Sequence, residues 1–153
     1  MKGVSTVLVG VVVALALASA AMASGPSVAT GGGRGTENGT QPFSQFGFNV
    51  TRSDAGSVHG SFNCLMAGAS RFPGFTLMAV RGQVTSATIS GSTASFDSVG
   101  MFQTGNQGTS PATFHVEVTA GGPGAGTMHL TLITPFYFDL PVEQVLNGSI
   151  SIH

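Results

Sequence analysis

The chain has 153 residues, of which 42% are apolar and 7% charged, with a formal net charge of −1. That length suits one domain, the charge is too small for the electrostatic footprint of nucleic-acid binding, and the apolar content is too high for a disordered chain. The single cysteine excludes an internal disulfide framework and any zinc site built from several thiolates.

Met1-Lys2 is a short positive start, followed by an apolar run from Val7 to Ala18 that is too short to span a bilayer of about 30 Å comfortably. Small residues follow, and Ala21-Met22-Ala23 fits the rule for signal peptidase. Residues 1–23 are therefore expected to be a signal peptide cleaved after Ala23, and the protein to be secreted. A retained anchor is the competing reading, disfavoured by the crowd of small residues and by the lack of a following basic cluster. The remaining chain carries Arg34, Arg52, Arg71 and Arg81 against Glu37, Asp54, Asp97, Glu117, Asp139 and Glu143, and no lysine.

Residues 24–42 are rich in Gly, Ser and Thr and read as a flexible lead-in, with room for one short strand near Val28. From Phe43 the period is two, and residues 43–153 are expected to form the domain. Phe46, Phe48 and Val50 alternate with polar or small neighbours, as in a half-buried strand. Asp54-Ala55-Gly56-Ser57 has turn chemistry, and Val58, Gly60, Phe62, Cys64 and Met66 share the next strand's face. Phe75 to Val80 and Gln83 to Ser90 read as two β segments with a bend at Arg81-Gly82. A strand from Thr93 to Phe102 is broken by Gly105-Asn106-Gln107-Gly108. Thr113 to Thr119 turns its Phe114, Val116 and Val118 inward, a glycine loop at 121–126 follows, and Met128, Leu130 and Leu132 return to the core. Pro135 to Leu140 is bracketed by prolines and suits an edge strand or loop. Pro141 to Leu146 has room for a single helical turn, and Ile150 and Ile152 close the chain as a strand. Short strands at regular turn spacing predict an all-β, single antiparallel β-sandwich of eight or nine strands, with a small β-barrel as the alternative.

Several of these segments carry a family resemblance: Ala29-Thr30-Gly31-Gly32-Gly33, Phe46-Gly47-Phe48-Asn49 with Arg52, Thr93-Ala94-Ser95-Phe96, Phe114-His115-Val116-Glu117-Val118 and the closing Gly148-Ser149-Ile150-Ser151-Ile152-His153. In them the chain resembles small secreted bacterial domains that occur alone or after choice-of-anchor modules, the post-COAP domains. The resemblance implies an extracellular all-β domain and brings no catalytic residue with it. The family's hairpin loop often carries acidic residues, whereas Ala120 to Gly126 has none.

If the 113–133 hairpin folds symmetrically about Pro123, Val118 faces Met128, Val116 faces Leu130, and Glu117 faces His129 with His115 beside it on the outer surface. Two imidazoles and a carboxylate have the chemistry of a zinc site, so His115, Glu117 and His129 are metal-ligand candidates; the plainer reading is an exposed Glu–His pair. Phe136, Tyr137 and Phe138, with Phe72 and Phe75 as a second aromatic turn, are the candidate binding residues, since exposed rings beside a carboxylate suit carbohydrate or peptide. The plainer reading makes the phenylalanines a plug at one end of the core. Cys64 shares a face with Phe62 and Met66 and is expected to be buried and inert. Hydrolytic motifs are lacking; acid pairs Asp97–Glu117 or Asp139–Glu143 are the only carboxylate combinations singled out.

The expected function is that of a secreted, non-catalytic binding or structural module of the cell exterior, without cofactor. Expected partners are cell-wall or extracellular polysaccharide, another surface protein, or a second copy through an edge strand. No nucleic acid and no membrane span after cleavage are expected. A small extracellular hydrolase and a zinc-dependent binder are the alternatives.

Overall fold

A computed structural model describes residues 25–67, 77–105 and 107–153. The described chain is all-β, with nine antiparallel strands in one sheet: β1 (Ser27–Thr36), β2 (Ser44–Arg52), β3 (Val58–Ala67), β4 (Leu77–Ser90), β5 (Thr93–Thr104), β6 (Thr109–Thr119), β7 (Thr127–Thr134), β8 (Phe138–Asp139) and β9 (Glu143–Ile152). The expected signal peptide and the Phe72 and Phe75 turn lie outside the described residues. No helix among the described residues is long and apolar enough to cross a membrane.

The order is a meander, in which each strand from β1 to β7 pairs with the next. β8 and β9 lie along the same side of β7, β8 opposite Thr131 and Leu132, β9 opposite Thr127 and Met128. β9 then pairs with β1, so the hydrogen-bonded order runs in a ring. A small barrel, or a sandwich whose layers share strands, accommodates this order. Single-partnered stretches among the described strands include β8, the Val84–Ser90 end of β4, which pairs with β5 alone, and the Thr109–Ala112 end of β6, which also pairs with β5 alone.

Alternation decides what fills the interior. Phe46, Phe48 and Val50 of β2, Phe62, Cys64 and Met66 of β3, and Phe114, Val116 and Val118 of β6 are all buried, because successive side chains of a strand point to opposite faces. Phenylalanine rings meet across that interior: Phe48 with Phe96 at 5.6 Å, Phe62 with Phe96 at 6.0 Å, and Phe62 with Phe114 at 5.5 Å.

Three sequence expectations are corrected. The flexible lead-in holds β1, a ten-residue strand between β2 and β9. Its glycines make room rather than slack: a Cβ on Gly31 would stand 2.6 Å from the Phe48 ring and 2.9 Å from Ile150. The two segments around Arg81-Gly82 are one strand of 14 residues, whose irregularity falls between Val84 and Ser86. Pro141 to Leu146 contains the start of β9 rather than a helical turn.

Candidate functional site

The β6–β7 hairpin adopts the expected register, pairing Val118 with Met128, Glu117 with His129 and Val116 with Leu130. The register on the other side sets His115 opposite Asp97, and Asp97 opposite Ser86. Because every second residue faces outward, these polar groups line up across five strands. The Ser86 hydroxyl donates to Asp97 Oδ2 at 2.7 Å, and Asp97 Oδ1 lies 2.7 Å from His115 Nδ1. His115 Nε2 is 3.7 Å from Glu117 Oε1, and Glu117 Oε2 is 3.5 Å from His129 Nδ1. His129 Nε2 is 3.0 Å from Asp139 Oδ1, to which the Thr131 hydroxyl donates at 2.7 Å. The Ser86 hydroxyl first, then the His115 imidazole, hold the Asp97 carboxyl below the usual carboxylate range. Thr131, followed by the weaker influence of His129, does the same for Asp139.

The row corrects the zinc reading. His115, Glu117 and His129 are neighbours, but Glu117 turns one oxygen to each ring, so the donors are strung along the sheet. Among the described residues no group of three His, Cys, Asp or Glu side chains is placed to hold a metal ion, whereas a zinc site needs its ligands at about 2.0–2.2 Å from one point. The row also lacks the order of a hydrolytic triad. In a triad the imidazole stands between hydroxyl and carboxylate, whereas here Asp97 stands between Ser86 and His115. Of the two acid pairs, Asp97 and Glu117 flank His115 on one face. Asp139 and Glu143 are on opposite faces, one exposed and the other buried.

Beside the row the outer face is hollowed into a groove of about 440 Å³. Hydroxyls line it from four strands: Thr88 and Ser90 of β4, Thr93 and Ser95 of β5, Thr119 of β6 and Thr127 of β7. The Glu117 carboxylate and the His129 imidazole stand on one side of it and Val142 on its apolar side. A second groove, of about 410 Å³, lies across β2–β4 and is lined by Gln45, Asn63, Leu65 and Arg81 among others.

The aromatic triplet divides by parity. Phe136 stands edge-on to the buried Phe102 at 5.4 Å, and Phe138 packs on the core. Phe136 is nevertheless 42% exposed, so of the two phenylalanines it is Phe138 that packs against the buried cluster. Tyr137 is left 71% exposed, and Asp139 joins the histidine row.

Inside the ring lies a polar cluster that the motif reading missed. Glu143 is 2% exposed, and the Ser44 hydroxyl donates to its Oε2 at 2.5 Å. Burial pushes its carboxyl up to about 7, against the effect of the Ser44 hydrogen bond and with the help of the negative Glu37. Cys64 lies within electrostatic reach of the same carboxyl, and burial pushes its thiol up, so the cysteine is an inert core residue as expected. The available signal was parity: Glu143 stands two residues before the buried Val145.

No protein-family model matches the chain, and comparison with curated proteins and with solved structures returned no match.

Proposed function

We propose that the protein is a secreted, non-catalytic module of the cell exterior that binds hydroxyl-rich polymer, an extracellular or cell-wall polysaccharide, along the outer face of β4–β7. The observation that carries this reading is the groove itself. Six hydroxyls from four adjacent strands stand beside an exposed carboxylate and an imidazole. Serine and threonine hydroxyls both donate and accept, and a carboxylate accepts from paired sugar hydroxyls, so such a surface suits repeated alcohol groups. Charge gives further support, since Arg34, Arg52, Arg71 and Arg81 all precede β5 and residues 82–153 contain no Lys or Arg. A strongly anionic polymer is therefore a poor match to this face, and a neutral or amine-bearing one a good match. The resemblance to post-COAP domains agrees with an extracellular setting.

The test is co-sedimentation with isolated cell walls and with insoluble polysaccharides, neutral, anionic and amine-bearing. The unmodified protein is compared with a variant carrying Thr93→Val, Thr119→Val and Glu117→Gln, checked to be folded. Retention lost in the variant supports the reading. Equal retention of both proteins, or none on any matrix, overturns it.

A further inference from the structure

Glu143 has a setting that the binding reading does not use. It is the first residue of β9, and its carboxyl points into the interior at the place where β9 closes the ring. That closure is thin: β9 meets β7 through the pairs Thr127↔Gln144 and Met128↔Glu143, where β4 and β5 share twelve pairs. Beyond them, Val145 N–H donates to the Gly126 carbonyl at 2.8 Å and Gly124 N–H to the Val145 carbonyl at 2.9 Å, and further along β9 Gly121 and Ile150 exchange two backbone hydrogen bonds at 2.9 Å.

The space for the carboxyl is built. A Cβ on Gly35 of β1 would overlap Glu143 Oε2, so only glycine leaves the site open. The register of β1 against β9 slips beside it, between Arg34 and Gly35. Among the described residues, Ser44 from β2 donates to the carboxyl, and Cys64 from β3 and Glu37 from the β1–β2 connection lie within its electrostatic reach. Ser44 and Cys64 are neutral, and Arg34 beside Gly35 is exposed on the other face. Among the described residues, the charged group that acts on it is the Glu37 carboxylate. Met128, the ladder partner on β7, is buried and apolar.

We propose that Glu143 is a proton-operated latch: protonated, it seals the head of β9 against β1, β2 and β7, and on losing its proton it loosens that seam. A neutral carboxyl fits a closed apolar interior with one hydroxyl partner. An ionised one lacks water there and feels the negative Glu37, and on its β7 side the strand that carries it is held by two ladder pairs. Opening the seam at β9 lets water reach the carboxylate while the phenylalanine core stays packed.

The test has two arms. Carboxyl carbon NMR of the unmodified protein follows Glu143 directly and is expected to show it titrating well above the ordinary carboxylate range; a midpoint within that range overturns the latch. Native-state amide exchange then measures the opening equilibrium at Val145 and Gly124 from about pH 5 to about pH 9, with an expected rise of at least about tenfold. Glu143→Gln is expected to abolish the rise, and Phe62 and Val116 are expected not to share it. If Glu143→Gln does not fold, Ser44→Ala serves instead: removing the hydroxyl that favours the ionised form moves the midpoint to higher pH. A seam whose opening is the same at all pH values, or rises equally in the variant, overturns the proposal.

Discussion

The ring of Phe48, carried by β2, lies 5.6 Å from that of Phe96 on β5, although β3 and β4 stand between those strands in the sheet. The contact therefore crosses the interior, and with Phe62 and Phe114 it ties β2, β3, β5 and β6 together. Phe96→Ala removes the ring that touches both Phe48 and Phe62. The expected loss is about 3–5 kcal/mol of unfolding free energy, read by denaturant titration. A loss below about 1 kcal/mol would mean that the rings do not interlock.

Stability is expected to peak in mildly acidic solution. Asp97 and Asp139 are held below the carboxylate range in the folded chain, so their contribution is present above the unfolded value and lost as pH falls through the folded one. Glu143 acts in the opposite sense. Its folded value, about 7, lies above the ordinary 4.5, so the unfolded chain releases the proton first and stability falls as pH rises between the two. The size of that fall is on the order of 3 kcal/mol, and it levels off above the folded value. Thermal melts across this range check both limbs. Asp97→Asn is expected to flatten the acid limb and Glu143→Gln the other.

Zinc is expected to leave the thermal midpoint unchanged, because the candidate ligands His115, Glu117 and His129 lie in a row instead of around a point. A metal bound at about 100 times its dissociation constant would add about 2.7 kcal/mol, which a melt detects easily.

Two neighbouring aromatic residues should behave differently. Phe136→Ala takes away the edge contact with Phe102 and is expected to destabilise the protein by about 1–3 kcal/mol. Tyr137→Ala, at a side chain that is 71% exposed, is expected to change stability by less than about 0.5 kcal/mol. Parallel urea titrations of the two variants separate these outcomes.

The hairpin from Thr113 to Thr134 was legible because its apolar residues alternate without interruption and the glycine loop fixes its centre. Period and turn together set the register, and the register sets Glu117 beside His129. β1 was legible only as room for a short strand near Val28, for the opposite reason. Its inward residues include Gly31 and Gly35, so its contribution to the core is space, which Phe48, Ile150 and the Glu143 carboxyl fill from other strands. Asp97 and Asp139 joined the histidine row through pairings of β5 and β8 that no local pattern specifies. In the sequence Glu143 stands out only as half of an acid pair with Asp139, in a segment with room for a helical turn. Its burial depends on β9 closing the ring, which is a property of the whole topology.

The measurement that tests the central claim most directly is two-dimensional amide NMR of the protein titrated with soluble wall polysaccharide fragments. Binding to the hydroxyl-lined face predicts shift changes that saturate together at Thr88, Ser95, Glu117, Thr119, Thr127 and His129, and small changes around Gln45, Asn63 and Arg81. Changes confined to the β2–β4 groove, or no changes with any fragment, would contradict it.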